Sequence, residues 1–181
     1  GYEIIDQNNF YIPTQDKKLN ENINIQGKKS ITLPLGEVKI SRKVKALSVI
    51  FRSCTSVTML TQNKKRIFNK NKSEYTFRSL NSIIVSLENA RNIFPNINFN
   101  IIVIDHNSKK EDLEQIKKQL NKSNFTNSVI NLNINEFEGK IKKINQKNER
   151  LTYNQMSNMS NINKSLLIAK EKCDDLIYFV E

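Results

Sequence analysis

The sequence predicts an α/β domain built on a mainly parallel sheet with helices on both faces. Three observations lead there. Ala46-Leu47-Ser48-Val49-Ile50-Phe51 and Phe99-Asn100-Ile101-Ile102-Val103-Ile104-Asp105 are almost uninterrupted apolar runs, the pattern of strands buried on both sides. Segments with apolar residues at helical spacing lie between such runs. Strands and helices then alternate to the end of the chain, which favours strand–helix–strand units over hairpins.

Taken in order, residues 1–45 are polar and rich in Asn and Lys. Short β-like pieces at Ser30–Leu35 and Glu37–Ile40 surround Pro34 and Gly36, so this region is expected to form an arm or hairpin. The α/β domain is expected to span residues 46–181. Its first strand is Ala46–Phe51, followed by a polar, basic stretch from Thr55 to Lys72. Ser73 is placed to cap a helix in which Tyr75, Phe77, Leu80, Ile83, Ile84, Leu87 and Ala90 share one face, and Pro95 ends it. Phe99–Asp105 is the second strand. Ser108 is expected to cap the next helix, with Leu113, Ile116 and Leu120 inward and Glu114 four residues before Lys118. Asn127–Leu132 reads as a third strand, while residues 134–156 resist assignment. Ile162, Leu166, Leu167 and Ala169 mark a further helix. Asp175–Val180 is the fourth strand, expected at the centre of the sheet with the first two.

Composition narrows the functional classes. The chain has 181 residues, a length suited to one domain of ordinary size, with 38% hydrophobic residues and a formal net charge of +11. No apolar run approaches the ~20 residues that cross a bilayer, and no charged-then-apolar signal segment opens the sequence. A cytoplasmic location is therefore expected, extending to peripheral association at the inner face of the membrane. Two Cys and one His exclude a disulfide framework and an all-Cys/His zinc site. The excess of Lys and Arg raises a nucleic-acid reading, but the basic residues are scattered. The tightest group, Lys64-Lys65-Arg66, falls short of a polybasic run, so solvated surface is the plainer account and no nucleic acid is expected as partner.

In open α/β sheets ligands bind beyond the carboxyl ends of the strands, near the switch in strand order. Those ends carry Arg52-Ser53-Cys54, then Asp105-His106-Asn107-Ser108, and finally Glu181. No Gly-x-Gly-x-x-Gly follows Phe51 and no Gly-Lys-Ser/Thr occurs anywhere, so the chain lacks a loop that wraps a pyrophosphate closely. This disfavours dinucleotide oxidoreductases, SAM methyltransferases and P-loop nucleotidases. An acid at a strand end instead suits hydrogen bonding to a base or ribose.

The run Leu47-Ser48-Val49-Ile50-Phe51-Arg52-Ser53-Cys54 resembles the opening strand of family-2-like glycosyltransferases of the GT-A fold. Ile101-Ile102-Val103-Ile104-Asp105-His106-Asn107-Ser108 resembles their second strand with its Asp-x-x-Ser turn. Asn161-Ile162-Asn163-Lys164-Ser165-Leu166-Leu167-Ile168-Ala169-Lys170 and Leu176-Ile177-Tyr178-Phe179-Val180-Glu181 resemble the helix and strand that lead into the acidic metal-binding motif. The resemblance covers about residues 46–181 and rests on order and spacing as much as on identities. Ile162 stands about where many relatives have Arg, and Ser165 about where they have Gly.

The resemblance implies the donor-binding part of an enzyme that transfers a sugar from a UDP- or GDP-type nucleotide sugar to an acceptor glycan, lipid or protein. It implies nucleotide contacts at Arg52, Ser53, Cys54, Asp105 and Asn163, and a Mn²⁺ or Mg²⁺ ion held on the diphosphate by Glu181. The catalytic base and the remaining metal-binding acids would lie past residue 181, so the chain is expected to be a fragment inactive by itself.

Rival readings stay open at this point: a basic nucleic-acid-binding module, or a nucleotidyltransferase. Asp105 could also serve simply as a helix cap, and Glu181 as a solvated end. Cys54 and His106 could form a thiolate–imidazole pair, but no third member is identifiable. Asp174-Asp175 precedes its strand, at the wrong end of the sheet for a metal, and Cys173 reads as a small buried apolar residue.

Overall fold

A computed structural model describes residues 43–56, 70–141 and 149–181, with the side chains of residues 150 and 151 excluded. The expected arm at Ser30–Leu35 and Glu37–Ile40, and the Lys64-Lys65-Arg66 group, lie outside the described residues. Val44–Glu181 forms one compact unit.

Four strands make an all-parallel sheet of order β3-β2-β1-β4: β1 (Ala46–Ser53), β2 (Asn98–Asp105), β3 (Thr126–Asn131) and β4 (Leu176–Val180). Helices α1 (Lys72–Ile93), α2 (Lys110–Lys122) and α3 (Glu149–Lys172) connect them, with a 3-10 turn at Ile134–Phe137 after β3. This is a Rossmann-like α/β arrangement with both faces covered, as the sequence predicts.

The strand period of two divides the core into two layers. Val49 and Phe51 of β1, with Phe99, Ile101 and Val103 of β2, pack under Leu80, Ile84 and Leu87 of α1 and Ile116 and Leu120 of α2. The intervening residues Ile50, Ile102 and Ile104 turn to the opposite face, against Ile168 and Ala169 of α3 and Phe137 of the 3-10 turn. Each such side chain, fully removed from water, contributes roughly 1.5–3 kcal/mol. The two layers therefore fix both the strand register and the side on which each helix lies.

Three sequence expectations need correction, and one unassigned stretch is resolved. β4 is not central: it pairs only with β1 and is an edge among the described residues, with Tyr178 57% and Phe179 45% exposed. An apolar run reports an affinity for burial, not how many neighbours the strand has. Helix α1 starts at Lys72 after Asn71, whose side chain makes no capping hydrogen bond; Ser73 already lies inside the first turn. Ser108 does not cap α2, which starts at Lys110 after Lys109, because the Ser108 hydroxyl is turned back onto Asp105. Finally, α3 begins at Glu149 and takes in the second part of the unassigned stretch. Its first turns carry Thr152, Asn154, Ser157 and Asn158, residues that individually favour other conformations and blur the apolar period.

The acidic pair before β4 has a structural task. The Asp175 carboxylate accepts hydrogen bonds from the backbone N–H of Lys45 at 2.6 Å and of Ala46 at 3.4 Å, fastening the start of β4 to the start of β1. That is the opposite edge of the sheet from the strand ends considered next.

Candidate functional site

Because all four strands point the same way, their carboxyl ends meet on one edge. The register pairs Ser53 with Asp105 and Phe51 with Val180, so Arg52 and Glu181 are neighbours at that edge. Strand alternation then sorts the side chains into two groups, one under α2 and one under α3.

On the α2 side Asp105 is the hub. It is 4% exposed, and its carboxylate accepts hydrogen bonds from the Ser53 hydroxyl at 2.6 Å, from the Ser108 hydroxyl, and from the Ser108 backbone N–H at 3.2 Å. Ser108 Oγ in turn accepts from the Thr55 N–H at 3.0 Å, and Thr55 Oγ1 accepts from the Lys109 N–H at 3.1 Å. The loop after β1 is thus stitched to the loop after β2 through one buried carboxylate. The tight turn leaves Asn107 at φ +58°, in the left-handed region that Asn tolerates better than most residues. A carboxylate offers about four acceptor sites, and three are taken here.

On the α3 side, Arg52 is gripped from two elements. Its guanidinium donates to Asn158 Oδ1 at 3.1 Å and lies 2.6 Å from a carboxylate oxygen of Glu181. The Arg52 side chain is only 14% exposed, whereas that of Glu181 is 75% exposed. Next to this pair, Asn161 donates from Nδ2 to the Ile104 carbonyl at 3.3 Å, anchoring α3 to the end of β2. His106 is buried on the same side; its Nδ1 lies 2.6 Å from Ser157 Oγ, and its ring tilts against Tyr153 with centroids 5.9 Å apart. Tyr153 also lines a cleft of about 380 Å³ with Ile134, Glu138, Glu149 and Met156.

Burial pushes the His106 pKa below its ordinary value of 6.5, with the Asp105 carboxylate opposing that shift. The fold therefore favours neutral imidazole. The stability it contributes is fully present above the ordinary value and is lost as pH falls through the lowered folded value. The thermal midpoint is expected to drop between about pH 7.5 and pH 5, and to drop less in His106→Gln, which cannot titrate. Equal slopes for the two proteins would show that His106 does not contribute.

The structure brings together Arg52, Ser53, Asp105 and Glu181 on one edge, with half-buried Cys54 directly after β1. It does not bring Asn163 there: that amide donates back to the Met159 carbonyl at 2.8 Å within α3. Asn158 and Asn161, on neighbouring turns, reach the strand ends instead. Sequence reasoning also missed Ser157 and Thr55, since short polar residues distant in sequence carry no signal until the fold pairs them.

Among the described residues no group of three or more His, Cys, Asp or Glu side chains gathers to hold a metal ion. Glu181, the acid expected to hold the metal, is engaged by a guanidinium. The described residues therefore do not by themselves make a Mn²⁺ or Mg²⁺ site. Nor is any helix among them long and apolar enough to cross a membrane.

No family model matches this chain, and neither curated proteins nor solved structures give a match.

Proposed function

We propose that the chain is the nucleotide-sugar-binding part of a glycosyltransferase of the GT-A type, acting with further residues that supply the catalytic base and the acceptor site. One observation carries this reading. In the order β3-β2-β1-β4 the chain reverses direction of travel across the sheet between β1 and β4, and Arg52 and Glu181 stand at that crevice with the Asp105 network beside them. Ligands of open parallel sheets bind at such reversals. The β1 loop there contains no glycine, which suits a nucleotide held by side chains over one whose pyrophosphate is wrapped by backbone.

The residues divide the work. Ser53 and Asp105 are buried, so they shape the loop; Asp105 keeps one acceptor site for a base N–H or ribose hydroxyl. Arg52 and Cys54 are the partly open groups facing a ligand. The resemblance further implies a Mn²⁺ or Mg²⁺ ion on the diphosphate in the intact enzyme, held with acids beyond those described. A cytoplasmic enzyme, peripheral to the membrane where its acceptor is a lipid, fits this reading.

Titration with UDP and GDP, followed by backbone NMR, tests the proposal. Shifts are expected at Arg52–Cys54 and at Asp105–Ser108, larger for a nucleoside diphosphate than for uridine. Shifts confined to Lys64–Lys72 and erased by moderate salt would mean general attraction to a basic surface, and would overturn the proposal.

A further inference from the structure

The geometry points to Arg52 as a built anion site: its guanidinium binds the diphosphate of the ligand directly, and Glu181 is the exchangeable counter-ion that the phosphate displaces. This deepens the nucleotide reading above by naming the group that meets the phosphate, and it rests on that reading for the identity of the ligand. Three observations support it.

The first is the asymmetry of the ion pair. Arg52 is largely enclosed and fixed by Asn158 from α3, while its partner Glu181 is mostly exposed. An exposed carboxylate in a single-contact pair gains little from it, because water and salt screen the attraction and two side chains lose freedom. A guanidinium, by contrast, matches phosphate with a planar fork of parallel N–H donors. Exchanging Glu181 for a phosphate replaces a weak partner by a strong one, and the site keeps its compensating negative charge throughout.

The second is unused donor capacity. A guanidinium has five N–H donors, and the described contacts of Arg52 are one to Asn158 and one ion pair to Glu181. Asn154 lies four residues before Asn158 and so on the same stripe of α3, one turn further towards the carboxyl edge. Its side-chain nitrogen is shielded from solvent and has no hydrogen-bond partner among the described residues. Native proteins rarely leave such a donor unmatched.

The third is the acid count. At this crevice Arg52 is paired with one exposed acid, Glu181, and no group of three or more metal-ligating side chains gathers among the described residues, whereas a divalent-cation site needs several oxygen ligands. The charge that these residues offer a diphosphate is that of Arg52.

Calorimetric titration of the 181-residue chain with inorganic pyrophosphate, in EDTA and at physiological salt, tests the assignment. Arg52→Ala is expected to weaken binding at least tenfold, and Arg52→Lys to fall between, since it keeps the charge but loses the fork. Glu181→Gln is expected to tighten binding by up to about fivefold, the worth of an exposed pair released. Arg78→Ala, which removes the same charge from the exposed side of α1, is expected to change binding less than twofold. Binding that needs Mn²⁺, that survives Arg52→Ala, or that weakens in Glu181→Gln overturns the assignment. UDP and uridine in the same titrations separate the two conclusions. Pyrophosphate binding that depends on Arg52, with UDP no tighter than pyrophosphate, keeps the anion site and removes the nucleotide reading. UDP shifts around Asp105 that ignore Arg52→Ala keep the nucleotide reading and remove the anion site.

Discussion

Asp105→Ala is expected to destabilise the chain by about 2–4 kcal/mol, because it strips the common acceptor from two hydroxyls and a backbone N–H in a site closed to water. Hydrogen bonds to a charged group are the stronger kind, and leaving their donors buried and unmatched adds a desolvation penalty. Asp105→Asn should cost about half as much. Its oxygen can still accept the Ser108 N–H, and the hydroxyls of Ser53 and Ser108 can rotate to accept from the new amide. Chemical unfolding of the three proteins, alongside UDP titration, checks this. A stability loss together with weakened UDP binding in Asp105→Asn is the expected result for a carboxylate that braces the two loops and offers its remaining acceptor site to the ligand. A stability loss with unchanged affinity limits Asp105 to the brace, and an unchanged midpoint contradicts the brace.

Phe51→Ala should be the more damaging change, at about 3–5 kcal/mol. Phe51 is 2% exposed on the central strand and packs in the layer formed by Leu80, Ile84 and Leu87 of α1 and Ile101 and Val103 of β2. Truncation removes the transfer energy of a benzyl group, and the strand on either side is too tightly paired to collapse into the space. Since domains of this size are stable by about 5–15 kcal/mol, the variant should be close to unfolded at moderate urea. Val85→Ala, at an exposed position of α1, provides the control and should stay within about 0.5 kcal/mol of the parent. A loss below about 1 kcal/mol for Phe51→Ala would mean that the two-layer core is wrongly described.

Much of this architecture was legible in the sequence because its strands are buried on both faces. Val49-Ile50-Phe51 and Ile101-Ile102-Val103-Ile104 have no polar interruption, and only a covered parallel sheet rewards that pattern. The position of β4 was not legible, since Leu176–Val180 has the same apolar character as β1 and only the pairing shows it at an edge. The start of α3 was hidden for the opposite reason. Its inward residues include Ser157, Ser160, Asn161 and Ser165, which are buried yet polar, so between Met156 and Ile168 no buried apolar residue marks the inward face.

The site was legible to the extent that it lies along the strand ends. Arg52, Ser53, Asp105 and Glu181 follow from parallel strands ending together. The partners that orient them do not follow, because Ser157 meets His106 and Asn158 meets Arg52 across more than fifty residues of chain. Asn163 shows the limit of spacing as a guide: one position among several Asn on a helix decides whether the side chain reaches the sheet or bonds back to its own turn.

The position of β1 between β2 and β4 also sets the order in which the molecule can be completed. β2 reaches β1 after one helix, but the other flank of β1 is closed by a strand that the register places 129 residues further along the chain, with Leu47 beside Leu176. During synthesis this flank of β1 therefore remains an open edge until β4 arrives, and closing so distant a pair is entropically slow. Val49, Ile50 and Phe51 then line an unpaired apolar strand, the kind of surface that recruits other chains. The clamp of Asp175 on the Lys45 and Ala46 amides ties the residue just before β4 to the start of β1, so the contact that aligns this distant pair lies at the end from which the strands run on together.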